Sequence, residues 1–235
     1  MSQSPPGGPP PDPAVPPDPE LPEITAPPPP PVAEAVFGSA LPQALAFVHR
    51  LATDGVVRGL IGPREVPRLW ERHMLNSVAV GEAIDTGARV VDIGSGAGLP
   101  GIPLGLARPD LALTLVEPMA RRAEFLREAV AELGAPWRVV RGRAEERSVV
   151  TDVGPVDVVT ARAVAPLPRL VTWCRDLLRP GVQLVALVGA RALADLPSMT
   201  AELHAAGMVD VAARAVGSEW GTAATTVVVL RRGRH

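Results

Sequence analysis

The chain has 235 residues, is 47% hydrophobic, carries a net charge of −2 and contains one cysteine. That length suits one ordinary domain with a real core plus an appendage, and a lone Cys174 excludes an internal disulfide and fits a reducing compartment. No apolar run reaches the ~18 residues of a membrane span, and the opening MSQSPPGGPPPDP lacks the basic and apolar stretches of a secretory signal, so a soluble, cytoplasmic protein with no membrane partner is expected.

Fifteen of the 28 prolines fall in residues 1–31, and residues 1–36 hold five acids and no basic residue. Such a stretch buries too little apolar surface to offset the entropy of ordering it, so residues 1–36 read as a disordered, proline-rich tail. The remainder, residues 37–235, sets 23 basic groups against 20 acids, and every basic group is arginine. Arginine forks onto phosphates and guanine edges, but a lysine-free composition also follows from a GC-rich genome. Charge alone therefore does not establish an RNA partner.

Residues 37–86 read as helical. Leu41, Leu45 and Val48 share one helical face, the GLIGP link at 59–63 carries a stop and a restart, and Pro63 to Ala83 forms a second helical region around Leu69, Trp70, Met74, Leu75 and Val78. From residue 87 the pattern alternates. Strands are expected at Arg89–Ile93, Ala112–Glu117, Arg138–Arg141, Asp157–Ala161, Val182–Leu187, Val209–Ala215 and Thr225–Leu230. Helices are expected at Pro100–Ala107, Met119–Leu133, Leu167–Leu178 and Leu193–Ala206. Regular βα alternation implies a parallel sheet covered on both faces by right-handed crossovers. The last two strands have only a short link between them and must pair as a hairpin, which turns the final strand antiparallel. Seven strands of this kind point to an α/β, Rossmann-like class I methyltransferase sheet, where a dinucleotide dehydrogenase normally has six parallel strands.

The sharpest local signal is VVDIGSGAGLPG at 90–101, a buried strand running into Gly94, Gly96, Gly98 and Gly101. Glycines let such a turn take positive φ and let the backbone approach a ligand. The GxGxxG spacing is weak evidence alone, but two acids sharpen it. Asp92 stands inside the strand, placed either to order the loop or to reach the ligand. Glu117 ends the second strand, where a carboxylate accepts hydrogen bonds from ribose hydroxyls. An NAD site shares that acid but needs its helix N-terminus free for a pyrophosphate. Leu99 and Pro100 stand there instead and favour an apolar contact.

Together with RHMLNS at 72–77, GRAEE at 142–146 and TARAVAPL at 160–167, the loop DIGSGAGLPGIPL at 92–104 resembles the ribosomal RNA small subunit methyltransferase G (glucose-inhibited division protein B) family. The order and spacing of these motifs hold over roughly residues 40–235. The resemblance implies S-adenosyl-L-methionine as cofactor and methylation of N7 of a guanine in 16S ribosomal RNA, guanine-527 of the 530 loop. It further implies 16S RNA or the small ribosomal subunit as partner, no metal and a monomer. Gly94 and Leu99 would line the cofactor beside Asp92, Gly96 and Glu117, Ala144 and Glu145 would flank its adenine, and Arg162 would meet it at the sheet edge. His73 and Asn76 would face the RNA. N7 carries no proton, so no general base is needed and no catalytic residue is named; Arg162 and Arg191 are positioning candidates.

One feature departs from the family. Its members carry a lysine in an LALKG-type motif at the end of the fifth strand, whereas this chain has Val188 in LVALVGARA and no lysine elsewhere. That substitution keeps open a weakened or non-catalytic RNA-binding homologue, beside two further rivals, a methyltransferase for another acceptor and an NAD-dependent dehydrogenase.

Overall fold

The computed structural model describes residues 25–162, 165–218 and 224–233; of the tail expected over residues 1–36, residues 1–24 lie outside them. Seven strands form one sheet: β1 Arg89–Ile93, β2 Ala112–Glu117, β3 Arg138–Arg141, β4 Val158–Arg162, β5 Gln183–Leu187, β6 Met208–Val216 and β7 Thr225–Arg232. Their order is β3-β2-β1-β4-β5-β7-β6, with β7 antiparallel to both neighbours. The order of winding thus reverses between the parallel neighbours β1 and β4, and the strand ends on either side of that switch open a crevice, the usual ligand position in an open α/β sheet.

Alternation along each strand divides the core in two. Val90, Leu113, Leu115, Val158 and Val185 face one layer, and Val91, Ile93, Val116, Val159 and Leu184 face the other. The first layer is filled by the N-terminal helices with α5 (Gly101–Ala107) and α6 (Ala120–Glu132). The second takes α7 (Arg147–Val153), α8 (Leu167–Trp173) and α10 (Leu196–Ala205), the last preceded by the short α9 (Ala190–Ala194).

Several elements differ from expectation. Helix α1 (Val32–Phe37) starts ahead of the boundary expected at residue 36, because Ala33, Val36 and Phe37 are buried in the first layer. On α2 (Leu41–Ala52) the buried stripe is Ala44, Phe47, Val48 and Leu51, so Leu45 faces solvent. The second helical region is a succession rather than a single helix. A 3-10 helix spans Pro63–Arg68, a π-helix Leu69–Leu75, then come α4 (Asn76–Ala79) and a 3-10 turn Val80–Ala83. Helix α8 stops at Trp173; Leu177 and Leu178 reach the core from the turn beyond it. Helix α7 has no counterpart among the expected elements.

Residues Val32–Val57 have the length and mean hydropathy (26 residues, 1.2) of a membrane-crossing helix, contrary to the expectation of no such run. Here the stretch folds onto the domain. A 3-10 turn interrupts it at Gly38–Ala40 and a break at Thr53 sets off α3 (Asp54–Val57). Arg50 bonds Glu128 and Glu132 of α6 at 2.5 Å each, and Arg58 bonds Glu128 at 2.6 Å. Both guanidiniums lie over the Phe125 ring, where cation–π attraction adds to the charge pairing.

Candidate functional site

The β1–α5 loop is built by its two acids. Gly94 and Ser95 donate their amides to the Val116 carbonyl at 2.9 and 3.1 Å, folding the loop back over β2. Gly96, at φ +54°, then turns its amide onto Glu117 Oε2 at 2.9 Å, a conformation that an L side chain would strain. Glu117 Oε1 accepts the Met119 amide at 2.9 Å. Each carboxylate oxygen has two lone-pair sites, so Glu117 keeps acceptor capacity while its position is locked from both sides.

Asp92 does not reach the cleft. It lies fully buried under the loop, with Oδ1 accepting from Thr160 Oγ at 3.1 Å and Oδ2 from the Gly101 amide at 3.2 Å. Of the two roles open to it, ordering the loop is the one its contacts serve. Burial pushes its carboxyl up to about 6, against the hydrogen bonds that lower it. Gly101 is small because it must be: a Cβ there would stand 2.4 Å from Leu115 Cδ2 and 2.9 Å from Asp92 Oδ2.

A cleft of about 450 Å³ opens over these strand ends, within the range of small-molecule sites. Its floor is Gly94, Gly96, Leu99 and Glu117, and Ala144 and Glu145 form the wall after β3. Arg162 and His73 close the opposite side. All the expected cofactor residues except Asp92 therefore meet in one cavity. Met119, Arg122 and Trp173, which no quoted motif contains, also line it, as does Arg143 of the GRAEE segment.

The side nearest β4 holds a linked set of charges. Arg162 Nη2 lies 2.9 Å from His73 Nδ1, and His73 Nε2 lies 3.0 Å from Glu65 Oε2. An arginine can only donate, so Nδ1 accepts and the imidazole proton sits on Nε2, directed at Glu65. Burial and the positive charge of Arg162 hold the His73 pKa below its usual value, which favours this neutral form. Arg162 Nη1 is buried with no partner among the described residues. An unpaired buried donor is costly, and this one belongs to a residue of the cavity wall. Glu65 has no local signal in the sequence; its partner is identified only by the fold.

Three further candidates lie in different places. His73 is buried in the cavity wall. Asn76, half-buried at the start of α4, is not part of the cavity. Arg191 on α9 is 98% exposed, with Asp195 at 4.0 Å as its ion partner, so it does not replace the missing lysine in the cleft. Val188, half-buried, packs on the second core layer. Among the described residues, no group of three or more His, Cys, Asp or Glu is arranged to hold a metal ion.

Residues 40–221 match the family model described as rRNA small subunit methyltransferase G. The chain belongs to that family. A ribosomal RNA small subunit methyltransferase G from Mycobacterium sp. (strain KMS) is 55% identical over 204 residues, covering 87% of this chain and 91% of the relative. A namesake from Corynebacterium glutamicum is 50% identical, covering 86% and 92%. In fold, the chain is similar to an O-methyltransferase family protein from Burkholderia thailandensis, with a TM-score of 0.52 and 16% identity over 86% of this chain and 68% of that one. Membership of the methyltransferase G family agrees with the seven-stranded Rossmann-like sheet and separates the chain from the dehydrogenase alternative.

Proposed function

We propose that the chain transfers a methyl group from S-adenosylmethionine to N7 of a guanine in 16S ribosomal RNA. The observation that carries this reading is Glu117, a carboxylate 2% exposed and fixed by two backbone amides in a cleft lined also by Gly94, Gly96 and Leu99. Held there, it accepts from vicinal ribose hydroxyls. The chain's other groups fit the same molecule. Ala144 offers backbone and Glu145 a carboxylate to the adenine edge, and Leu99 covers an apolar part. The unpaired Nη1 of Arg162 would meet the anionic amino-acid end.

The bound donor would supply a methyl group on a positively charged sulfur. N7 of guanine has a lone pair and no proton, so the protein need not move a proton during transfer. Its work is to hold the acceptor in line, which in well-oriented systems is worth up to about 7–11 kcal/mol. The absence of a nucleophile–base pair from the proposed roles follows from that chemistry.

Val188 supports one second reading, a homologue that holds RNA with little turnover. Incubation with methyl-labelled donor and purified 30S particles or naked 16S RNA, followed by nucleoside analysis, separates the two. N7-methylguanosine in stoichiometric yield is expected. Donor binding by calorimetry without any labelled nucleoside would leave the second reading, and absence of donor binding would remove both.

A further inference from the structure

An acceptor RNA needs cations along its phosphate backbone, and one edge of the sheet has the groups for it. Arg121 and Arg122 stand in the first turn of α6, Arg141 ends β3, Arg143 follows it, and Arg147 opens α7. Strand β3 is the outer strand of the sheet, and Arg141 pairs in register with Glu117. Arg122 and Arg143 already line the cleft. The five therefore run from the cleft rim outward across the β3 edge.

None of the five makes a side-chain hydrogen bond or ion pair among the described residues, whereas Arg50, Arg58, Arg72, Arg89, Arg108 and Arg127 all do. Arg64, Arg68, Arg179, Arg214 and Arg231 are also without one, but the β3 edge joins five such groups to the cleft rim. The acids nearby are fewer: Glu124 is held by Arg127, and Glu145 and Glu146 are exposed. Placement is also against local electrostatics. The positive end of a helix dipole disfavours cations, yet both helices begin with arginine, have no acid in the first turn and lack a side-chain cap. Positions that break a local rule without an internal gain mark functional surface.

We infer that the β3 edge, through Arg121, Arg122, Arg141, Arg143 and Arg147, is the track on which the phosphates of the acceptor RNA lie, leading its target base to the cleft beside Glu117. This rests on the proposed RNA methyl transfer and locates where that RNA sits. Single-stranded RNA fits best, because spaced forks follow a flexible backbone and the target base must leave any stack to reach the cleft.

The test compares the wild type with the triple variant Arg121→Gln, Arg141→Gln, Arg147→Gln, whose positions lie outside the cleft. A control carries Arg179→Gln and Arg231→Gln, exposed at the amino-terminal ends of β1, β4 and β5, away from the cleft. Affinity for a 16S RNA fragment is measured across salt concentrations, and donor affinity by calorimetry. Each arginine withdrawn from a phosphate flattens the plot of log affinity against log salt by about 0.7. The triple variant is expected to lose about 2 in slope and about tenfold in RNA affinity, with donor affinity and melting temperature not reduced and the control unchanged. An unchanged slope in the triple variant, or an equal loss in the control, overturns the track. If the wild type itself binds no 16S RNA, the proposed function fails first and the track with it. A single Arg141→Gln variant, on an exposed strand end, gives the same reading on a smaller scale should the triple variant fold poorly.

Discussion

His73 can accept from Arg162 only through a bare Nδ1, which leaves Glu65 to take the Nε2 proton. The carboxylate therefore selects the tautomer, and the tautomer aims the guanidinium. Replacing Glu65 by Gln removes a charge-assisted hydrogen bond worth about 1.5–3 kcal/mol. Glu65→Gln should weaken donor binding at least about tenfold, read by calorimetry, while kcat at saturating donor stays close to wild type. A fall in kcat with unchanged donor affinity would contradict the relay. Acid should act through the same pair, since a protonated His73 presents a second donor to Arg162. The folded pKa of His73 lies below its ordinary 6.5, so its contribution to stability is present above 6.5 and lost as pH falls through the folded value. Asp92 has the opposite sign: raised to about 6 from 3.8, it contributes fully below 3.8 and loses that contribution as pH rises through about 6. Melting curves mix the two. Donor affinity against pH separates them, because Glu65 raises the His73 pKa. The acid midpoint of donor binding should therefore move to lower pH in Glu65→Gln, a shift that breaking a purely structural hydrogen bond would not produce.

Helices α6 and α7 carry the cost of the arginine edge. A cation in the first turn opposes the helix dipole by about 0.3–1 kcal/mol. Arg121→Gln and Arg147→Gln should each therefore leave the protein as stable or more so, raising Tm by about 1–4 °C for a domain of this size, while RNA affinity falls. A lowered Tm in both would show that these side chains hold the helices rather than a ligand. Helix α7 also shows where sequence reading stops. RSVVTDV is short and β-branched, so propensity argues against a helix, and only Val149 and Val153 packing into the second layer keep it wound. The π-helix at Leu69–Leu75 is equally illegible, because its apolar residues satisfy an ordinary helical period. Strands β1, β2 and β3 are readable to the residue, because each is an uninterrupted or alternating run bounded by turn chemistry.

At the scale of the whole molecule, the site's floor is local and its walls are not. Gly94, Gly96 and Glu117 belong to one βαβ unit, whose spacing identifies them. Glu65, His73 and Arg162 come together only because the N-terminal helices fold onto the first core layer, and no spacing announces a hydrogen bond between residues 89 apart. Those helices are thus part of the active domain, and their start can be located. Ala26 packs on the first layer, the Pro27 carbonyl accepts the Trp70 indole N–H at 2.9 Å, and Ala33 and Val36 are buried. Removing residues 1–24 should leave Tm and donor affinity unchanged, since a proline-rich acidic stretch has little apolar surface to bury. Removing residues 1–31 deletes the Trp70 acceptor, a net cost of about 0.5–1.5 kcal/mol, and should lower Tm by about 2–5 °C. Trp70 lies on the same π-helix as His73, so donor affinity should fall with it. If the shorter deletion costs as much as the longer one, the boundary lies before residue 25 and the N-terminal stretch belongs to the domain.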